Sequence, residues 1–254
     1  MRQLFEITVS SFLMALQELW KNKLRTFLSL FGVTIGVFCI ISVLATVNSL
    51  ETNIQSTIQK LGSNTIYISK WEWGAGGGPD FPYWKYAKRP HANVSEMAQV
   101  KSRTTSAQYT AFFISTGITA EYAGNVLSNV IGYGITDEYL QIQPLDVAFG
   151  RQLTGLEFTN GKASAIIGFE IAENIFGNPP LAVGKQISVK GRNVIITGVI
   201  KKQGSQLIGG WQFDKTVVMP YGFARTLVDE RRSEPLLMVK GTAGITSKVL
   251  KDEL

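Results

Sequence analysis

Cysteine and histidine are nearly missing from this 254-residue sequence, which has one of each. The only cysteine, Cys39, lies inside the longest apolar stretch, so no internal disulfide can form. For the same reason the rest of the chain has no cysteine-ligated zinc site and no cysteine nucleophile. The only histidine, His91, excludes a multi-histidine metal centre and leaves at most one histidine base. It follows Pro90 at the end of a glycine-rich segment, where an exposed loop residue is expected. Charge is absent from residues 26–50, a run of 25.

That uncharged run follows directly on Lys21, Lys23 and Arg25. At a helical rise of about 1.5 Å per residue, residues 27–47 are long enough to cross a hydrocarbon core of roughly 30 Å. A buried core helix is the alternative, but such helices seldom run this far without a charge. A cleaved signal peptide is another, yet the run is too long and too far from residue 1 for its apolar region. Basic residues flanking a span stay on the cytoplasmic side, and residues 1–25 hold four of them against Glu6 and Glu18. The N-terminus is therefore expected in the cytoplasm and the main domain beyond the membrane, which is compatible with a bacterial inner membrane and periplasm. Lys21, Lys23 and Arg25 act as the cytoplasmic anchor.

Four segments follow from this reading. Residues 1–25 form an amphipathic helix and basic anchor, since Leu4, Phe5, Val9, Phe12, Leu13, Leu16, Leu19 and Trp20 recur at helical spacing. Such a helix would lie along the inner membrane surface. Residues 26–47 form the transmembrane helix. Residues 48–62 continue the helical period through Leu50, Ile54, Ile58 and Leu61 as a stalk, with Gly62 as its stop. Residues 63–254 form the exported domain. Within the span, Ser29, Gly32 and Gly36 share a face and Gly32 to Gly36 is a GxxxG pattern. Small residues let helix backbones approach closely in lipid, so this face is expected to pack against a second helix.

The exported part carries a formal charge of about +4, the chain's +6 less +2 for residues 1–25. Its adjacent basic residues come only in pairs, Lys201-Lys202 and Arg231-Arg232 among them, and no such pair resembles a nucleic-acid footprint. Residues 71–90 interleave Trp71, Trp73, Phe81, Tyr83, Trp84 and Tyr86 with glycine and proline. Two readings stay open: a loop pinned to its own domain by aromatics, or a partner surface formed by Trp71, Trp73, Tyr83 and Trp84. Beyond it, helices are expected over 95–101, 136–140, 170–176 and 221–228. Strands are expected over 65–69, 108–115, 118–123, 126–133, 163–167, 216–219 and 236–240. A hairpin should pair 186–190 with 194–201 across Gly191, Arg192 and Asn193. The mixture gives an α+β fold.

No catalytic, cofactor-binding or metal-ligating set stands out. Gly184-Lys185 fails as a phosphate loop because Pro179 and Gln186 stand where glycine and serine or threonine are needed, so ATP is not bound by this chain. Asn93-Val94-Ser95 is a formal glycosylation sequon without weight in a bacterial protein.

Taken in order, the segments resemble MacB-like ABC transporter permeases over essentially the whole chain. Residues 15–26 (ALQELWKNKLRT) followed by 30–37 (LFGVTIGV) look like that family's approach to its first membrane helix. Residues 61–66 (LGSNTI) resemble the end of its stalk, and 132–140 (GYGITDEYL), Gly150-Arg151, 183–185 (VGK) and 197–200 (TGVI) its periplasmic core. The resemblance implies a non-catalytic permease subunit, or its N-terminal half, with a MacB-type periplasmic core domain. It transmits the motion of a separate cytoplasmic ABC ATPase to that domain, for export or extraction of a substrate. Implied partners are the cognate ATPase, which binds the ATP, a second copy or a paralogous permease, membrane lipid, and a periplasmic adaptor with an outer-membrane channel. The family pattern would continue past residue 254 with further membrane helices, so a longer parent chain is expected. On that reading the terminal Lys251-Asp252-Glu253-Leu254 is a piece of helix rather than a retention signal. The alternative is a single-span anchored periplasmic binding or scaffold protein.

Overall fold

The computed structural model describes residues 2–61, 64–71, 82–204, 211–230, 233 and 235–254. The chain divides into two units, residues 1–55 and 56–254.

In the first unit, helix α1 (Arg2–Lys21) is separated from helix α2 (Lys23–Leu61) by Asn22 alone. The joint thus falls at Asn22 rather than after residue 25, and Lys23 and Arg25 belong to the first turn of α2. Asn22 Nδ2 donates to Glu18 Oε1 at 3.3 Å and Thr26 Oγ1 to the Leu19 carbonyl at 3.3 Å, bracing the joint with side chains. The span and the stalk are one helix without a break. Its stretch Lys23–Thr52 is apolar enough to cross a membrane, and none of it is buried within the protein. Thr34, Thr46 and Thr52 each donate to the carbonyl four residues back, at 2.8 Å, so their hydroxyls need no water.

The second unit is built on a single mixed sheet. In chain order it contains β1 (Thr65–Ile68), α3 (Tyr83–Ala87), α4 (Val94–Arg103), β2 (Ala107–Tyr122), β3 (Asn125–Ile135), α5 (Tyr139–Ile142) and β4 (Val147–Gly150). Then come α6 (Gly155–Thr159), β5 (Ser164–Ile167), α7 (Phe169–Phe176), a 3-10 turn (Pro179–Ala182), β6 (Gln186–Val189) and β7 (Arg192–Ile200). The unit closes with β8 (Thr216–Pro220), α8 (Tyr221–Ala224), β9 (Leu236–Gly241) and α9 (Ser247–Glu253). Among the described residues the strand order is β1-β9-β2-β3-β8-β5-β7-β4, and β6 pairs with both β2 and β7. Pairing therefore runs as a closed circuit through β2, β3, β8, β5, β7 and β6, which removes open edges from the middle of the sheet.

Strand β2 makes that circuit possible. Its first half pairs with β9, while Ala120 and Glu121 near its far end pair with Val189 and Ser188 of β6. Two strands separated at Gly117 were expected; instead the ladder with β3 continues through Gly117 and shifts register only between Ile118 and Ala120. Glycine there costs packing but does not end a strand whose neighbours are in place. Side chains alternate across the sheet. Phe112, Ile114, Ile118, Val130, Ile167, Val217 and Val239 enter one core with α7; Phe113, Tyr133, Ile135, Ile166, Val218 and Met238 enter another with α5.

The β6–β7 hairpin turns through Lys190 and Gly191, at φ 47° and 76°. A tight two-residue turn with both φ positive matches the twist of the strands. Arg192 and Asn193, expected in the loop, instead pair with Val189 and Ser188. Three further expectations shift. Residues 83–87, expected as loop, form α3. The helix expected over 221–228 ends at Ala224, and the short helix expected from Thr136 begins at Tyr139. Helix α4 starts at a capping box in which Ser95 N donates to Asn93 Oδ1 at 3.0 Å and Asn93 N to Glu96 Oε2 at 3.1 Å. The asparagine of the formal sequon is thus a helix cap.

Candidate functional site

On α2, Ser29, Gly32 and Gly36 are exposed, and no atom lies within 4 Å of where a Cβ would stand on Gly32 or Gly36. That absence of side chain leaves the backbone approachable, as the GxxxG pattern requires. Phe27 and Phe31 stack at 5.6 Å one turn apart on the same helix. The basic residues expected as an anchor gather at the Asn22 joint: Lys21 ends α1, Lys23 and Arg25 begin α2, and Lys23 Nζ lies 5.4 Å from the centre of the exposed Trp20 ring.

The aromatic segment is held at its base. Ser69 Oγ donates to the Trp71 carbonyl at 2.5 Å, and Lys70 Nζ lies 5.3 Å from the Trp71 ring and 3.4 Å from His91 Nε2. Trp71 is half-buried. Trp73 and the side chain of Tyr83 lie outside the described residues. Within α3 the two readings of this segment divide between neighbours: Tyr86 is 5 % exposed and enters the domain, whereas Trp84 is 78 % exposed. Helical geometry produces the split, since residues two apart point to opposite sides.

Residues of the periplasmic-core pattern turn out to hold the fold. Arg151 makes a two-pronged ion pair with Glu157, Nη1 to Oε2 at 2.8 Å and Nη2 to Oε1 at 3.1 Å. Thr154 donates to the same carboxylate through its N–H at 2.9 Å and its hydroxyl at 3.0 Å, capping α6. The Arg151 guanidinium holds the Glu157 carboxyl at a pKa of about 2, against burial, which pushes it up. Arg151 N donates to the Thr197 carbonyl at 3.0 Å, and Gly150, at φ +81°, turns the chain into that contact. The motif Gly150-Arg151 therefore fastens β4 and α6 to β7. The signal for it was present as Thr154-x-x-Glu157, a capping pattern.

A second concentration of chemistry is aromatic. Phe113 lies 4.6 Å from Trp211, 4.7 Å from Tyr133 and 5.9 Å from Tyr139 between ring centres. Burial pushes the Tyr67 and Tyr133 hydroxyls up to about 12 and that of the fully enclosed Tyr139 further. These phenols stay neutral at any physiological pH.

Of two open clefts among the described residues, the larger, 690 Å³, is lined by His91, Asn93, Arg225, Val228, Asp229 and Glu230. Its charges face one another: Arg225 Nε is 3.8 Å from Glu230 Oε1, and Glu230 also accepts from the Tyr221 hydroxyl. The other cleft, 530 Å³, lies between Asn64, Lys240 and the start of α9. His91 Nε2 meets the Lys70 ammonium at 3.4 Å. Among the described residues no three metal-ligating side chains come together.

A family model described as the MacB-like periplasmic core domain matches residues 26–254. Similar proteins include an uncharacterized ABC transporter permease, YvrN, of Bacillus subtilis, 23% identical over 190 residues that cover 75% of this chain and 46% of that protein. The macrolide export ATP-binding/permease protein MacB of Campylobacter fetus is 25% identical over 245 residues, covering 96% of this chain and 36% of that one. The chain thus spans less than half the length of either relative. Among solved structures, the periplasmic region of MacB from Actinobacillus actinomycetemcomitans superposes with a TM-score of 0.60 at 18% identity, covering 77% of this chain and 82% of that one. The extracellular domain of the noncanonic ABC-type transporter YknZ gives 0.53 at 20% identity, with 64% and 78% covered. Both show the same fold.

Proposed function

Because the chain belongs to the MacB-like periplasmic core domain family, we propose that it supplies the first membrane helix and extracytoplasmic domain of an ABC transporter permease. In this reading it does no chemistry itself. A separate ATPase binds ATP on the cytoplasmic side, its motion passes along α2, and the outer domain moves a substrate for export or extraction. The observation that carries the reading is α2 itself. It is apolar over Lys23–Thr52, nowhere buried by the rest of the protein, open at Gly32 and Gly36, and continuous to Leu61 just ahead of a domain with the MacB fold. Basic residues at the Asn22 joint support a cytoplasmic N-terminus, with the larger unit in the periplasm. A second permease copy or paralogue would cover the glycine face, and an adaptor with an outer-membrane channel would complete an efflux route. The named activities of the relatives, macrolide or pyoverdine export, mark efflux as the class of work to test first.

The test is to express the chain in its natural genetic context with an affinity tag on its N-terminus and ask what co-purifies from membranes. A P-loop ATPase whose turnover changes when the permease is present supports the proposal. Recovery of the chain without any ATPase, with normal membrane insertion, refutes it in favour of an anchored binding protein.

A further inference from the structure

Helix α3 and the residues just after it set one aromatic ring and three cations on a short exposed stretch. Trp84 is 78 % exposed, and Lys85, Lys88 and Arg89 are exposed with it. Tyr86, 5 % exposed, roots the stretch in the domain. Arg89 and Lys85 lie 4.4 Å and 5.9 Å from the centre of its ring, which holds both cations close to the root. Lys88 keeps helical backbone angles, so Trp84 with Lys88 and Lys85 with Arg89 are pairs four apart on adjoining faces. Among the described residues, no carboxylate forms an ion pair with any of the three cations.

We infer that this stretch seats on a phospholipid surface carrying anionic headgroups. An indole wants one apolar and one wet side, and unpaired cations want anions; a headgroup layer offers both without a shaped groove. Neither of the two clefts described above is lined by Trp84, Lys85, Lys88 or Arg89. Two of the three cations are lysines, which are depleted at protein interfaces and attracted to anionic membranes. The chain also sets a lysine beside an exposed tryptophan at its apolar helix, where Lys23 lies over the Trp20 ring. The inference rests on the membrane-anchored reading above and adds a second, charge-dependent lipid contact to it.

The test uses the full chain reconstituted in vesicles of phosphatidylcholine alone or mixed with phosphatidylglycerol. Trp84 emission is isolated as the difference between the wild type and Trp84→Phe, and quenching by brominated lipid is measured. Quenching of Trp84 should appear with phosphatidylglycerol and vanish without it. Each of Lys85→Gln, Lys88→Gln and Arg89→Gln should weaken it about fivefold, and high salt should abolish it. Trp84 emission that brominated lipid leaves untouched in both vesicles overturns the inference, as does equal quenching in both. Shielding of Trp84 from aqueous quencher in detergent, without lipid quenching, also overturns it and assigns the surface to a protein contact. Carbonate extraction run alongside reports insertion of α2 separately, so a failure here leaves the anchored reading standing.

Discussion

Arg151 and Glu157 are joined by two nearly parallel hydrogen bonds, although the guanidinium is about half exposed and the carboxylate almost wholly buried. The asymmetry decides what each partner contributes. Removing Arg151 leaves a buried carboxylate with only the Thr154 donors, whereas removing Glu157 leaves a cation that water can still solvate. Arg151→Ala should therefore destabilise the domain by about 2 kcal/mol and Glu157→Gln by less, less the discount due to Arg151's exposure. Urea unfolding of the detergent-solubilised chain, followed by near-ultraviolet circular dichroism, checks the order. Equal losses would argue against it.

The same pair sets a pH dependence. The Glu157 carboxyl is depressed from 4.5 to about 2 in the folded chain, chiefly by Arg151. A depressed carboxyl contributes stability that is complete above its unfolded value and is lost as pH falls toward its folded value. Wild type should thus lose this contribution between about pH 4.5 and pH 2. Arg151→Ala should unfold with a flatter pH profile across that window. Parallel profiles for the two chains would show that Arg151 is not the cause.

Gly134 and Gly117 lie on adjacent strands and should respond oppositely to a methyl group. A Cβ on Gly134 would overlap Ala224 Cβ and stand 2.7 Å from Ile114 Cγ1, while one on Gly117 would meet nothing within 4 Å. Gly134→Ala should cost about 1–3 kcal/mol, and Gly117→Ala should be neutral or stabilise by up to about 1 kcal/mol. Thermal midpoints of the two variants read this directly.

Tyr139 is enclosed completely, and its hydroxyl has no hydrogen-bonding partner among the described residues, though the phenols of Tyr133 and Tyr67 act on it. Tyr139→Phe removes the polar atom and keeps the ring that stacks on Phe113, so it should change stability by less than about 1 kcal/mol, in either direction. Tyr139→Ala should cost about 3–5 kcal/mol through the cavity it leaves. A large loss for Tyr139→Phe would mean that the hydroxyl is bonded after all.

The parts of this protein legible in its sequence are those whose cause is local. The uncharged run at 26–50 announces a long apolar helix, and Gly191 announces a turn, expected over residues 191–193 and made at Lys190 and Gly191, both at positive φ. Pairing between distant segments is not announced. Val147–Gly150 is a strand only because Gly198, Val199 and Ile200 of β7 lie beside it. Gly117 looked like a break because nothing near it in sequence shows that β3 carries the ladder past it. The site divides in the same way. Residues 71–90 were plainly aromatic, yet whether Tyr86 or Trp84 faces the domain depends on where α3 begins, and no capping side chain marks that point.

The open face of α2 yields the remaining prediction. Beyond their own helix backbone, Gly32 and Gly36 have no neighbour within 4 Å of a Cβ position, so Gly32→Leu with Gly36→Leu meets no obstacle among the described residues. Both leucines suit a hydrocarbon environment, and insertion into the membrane should be unchanged. A partner helix would meet two bulky side chains where it had approached bare backbone. Co-purification of differently tagged copies, or of the permease with its ATPase, should then fall several-fold while carbonate extraction gives wild-type yield. Ser29→Leu, one turn earlier, should have a smaller effect, since it replaces a side chain rather than fills a gap. Undiminished co-purification of the double variant would remove this face from the assembly and leave α2 as an anchor alone.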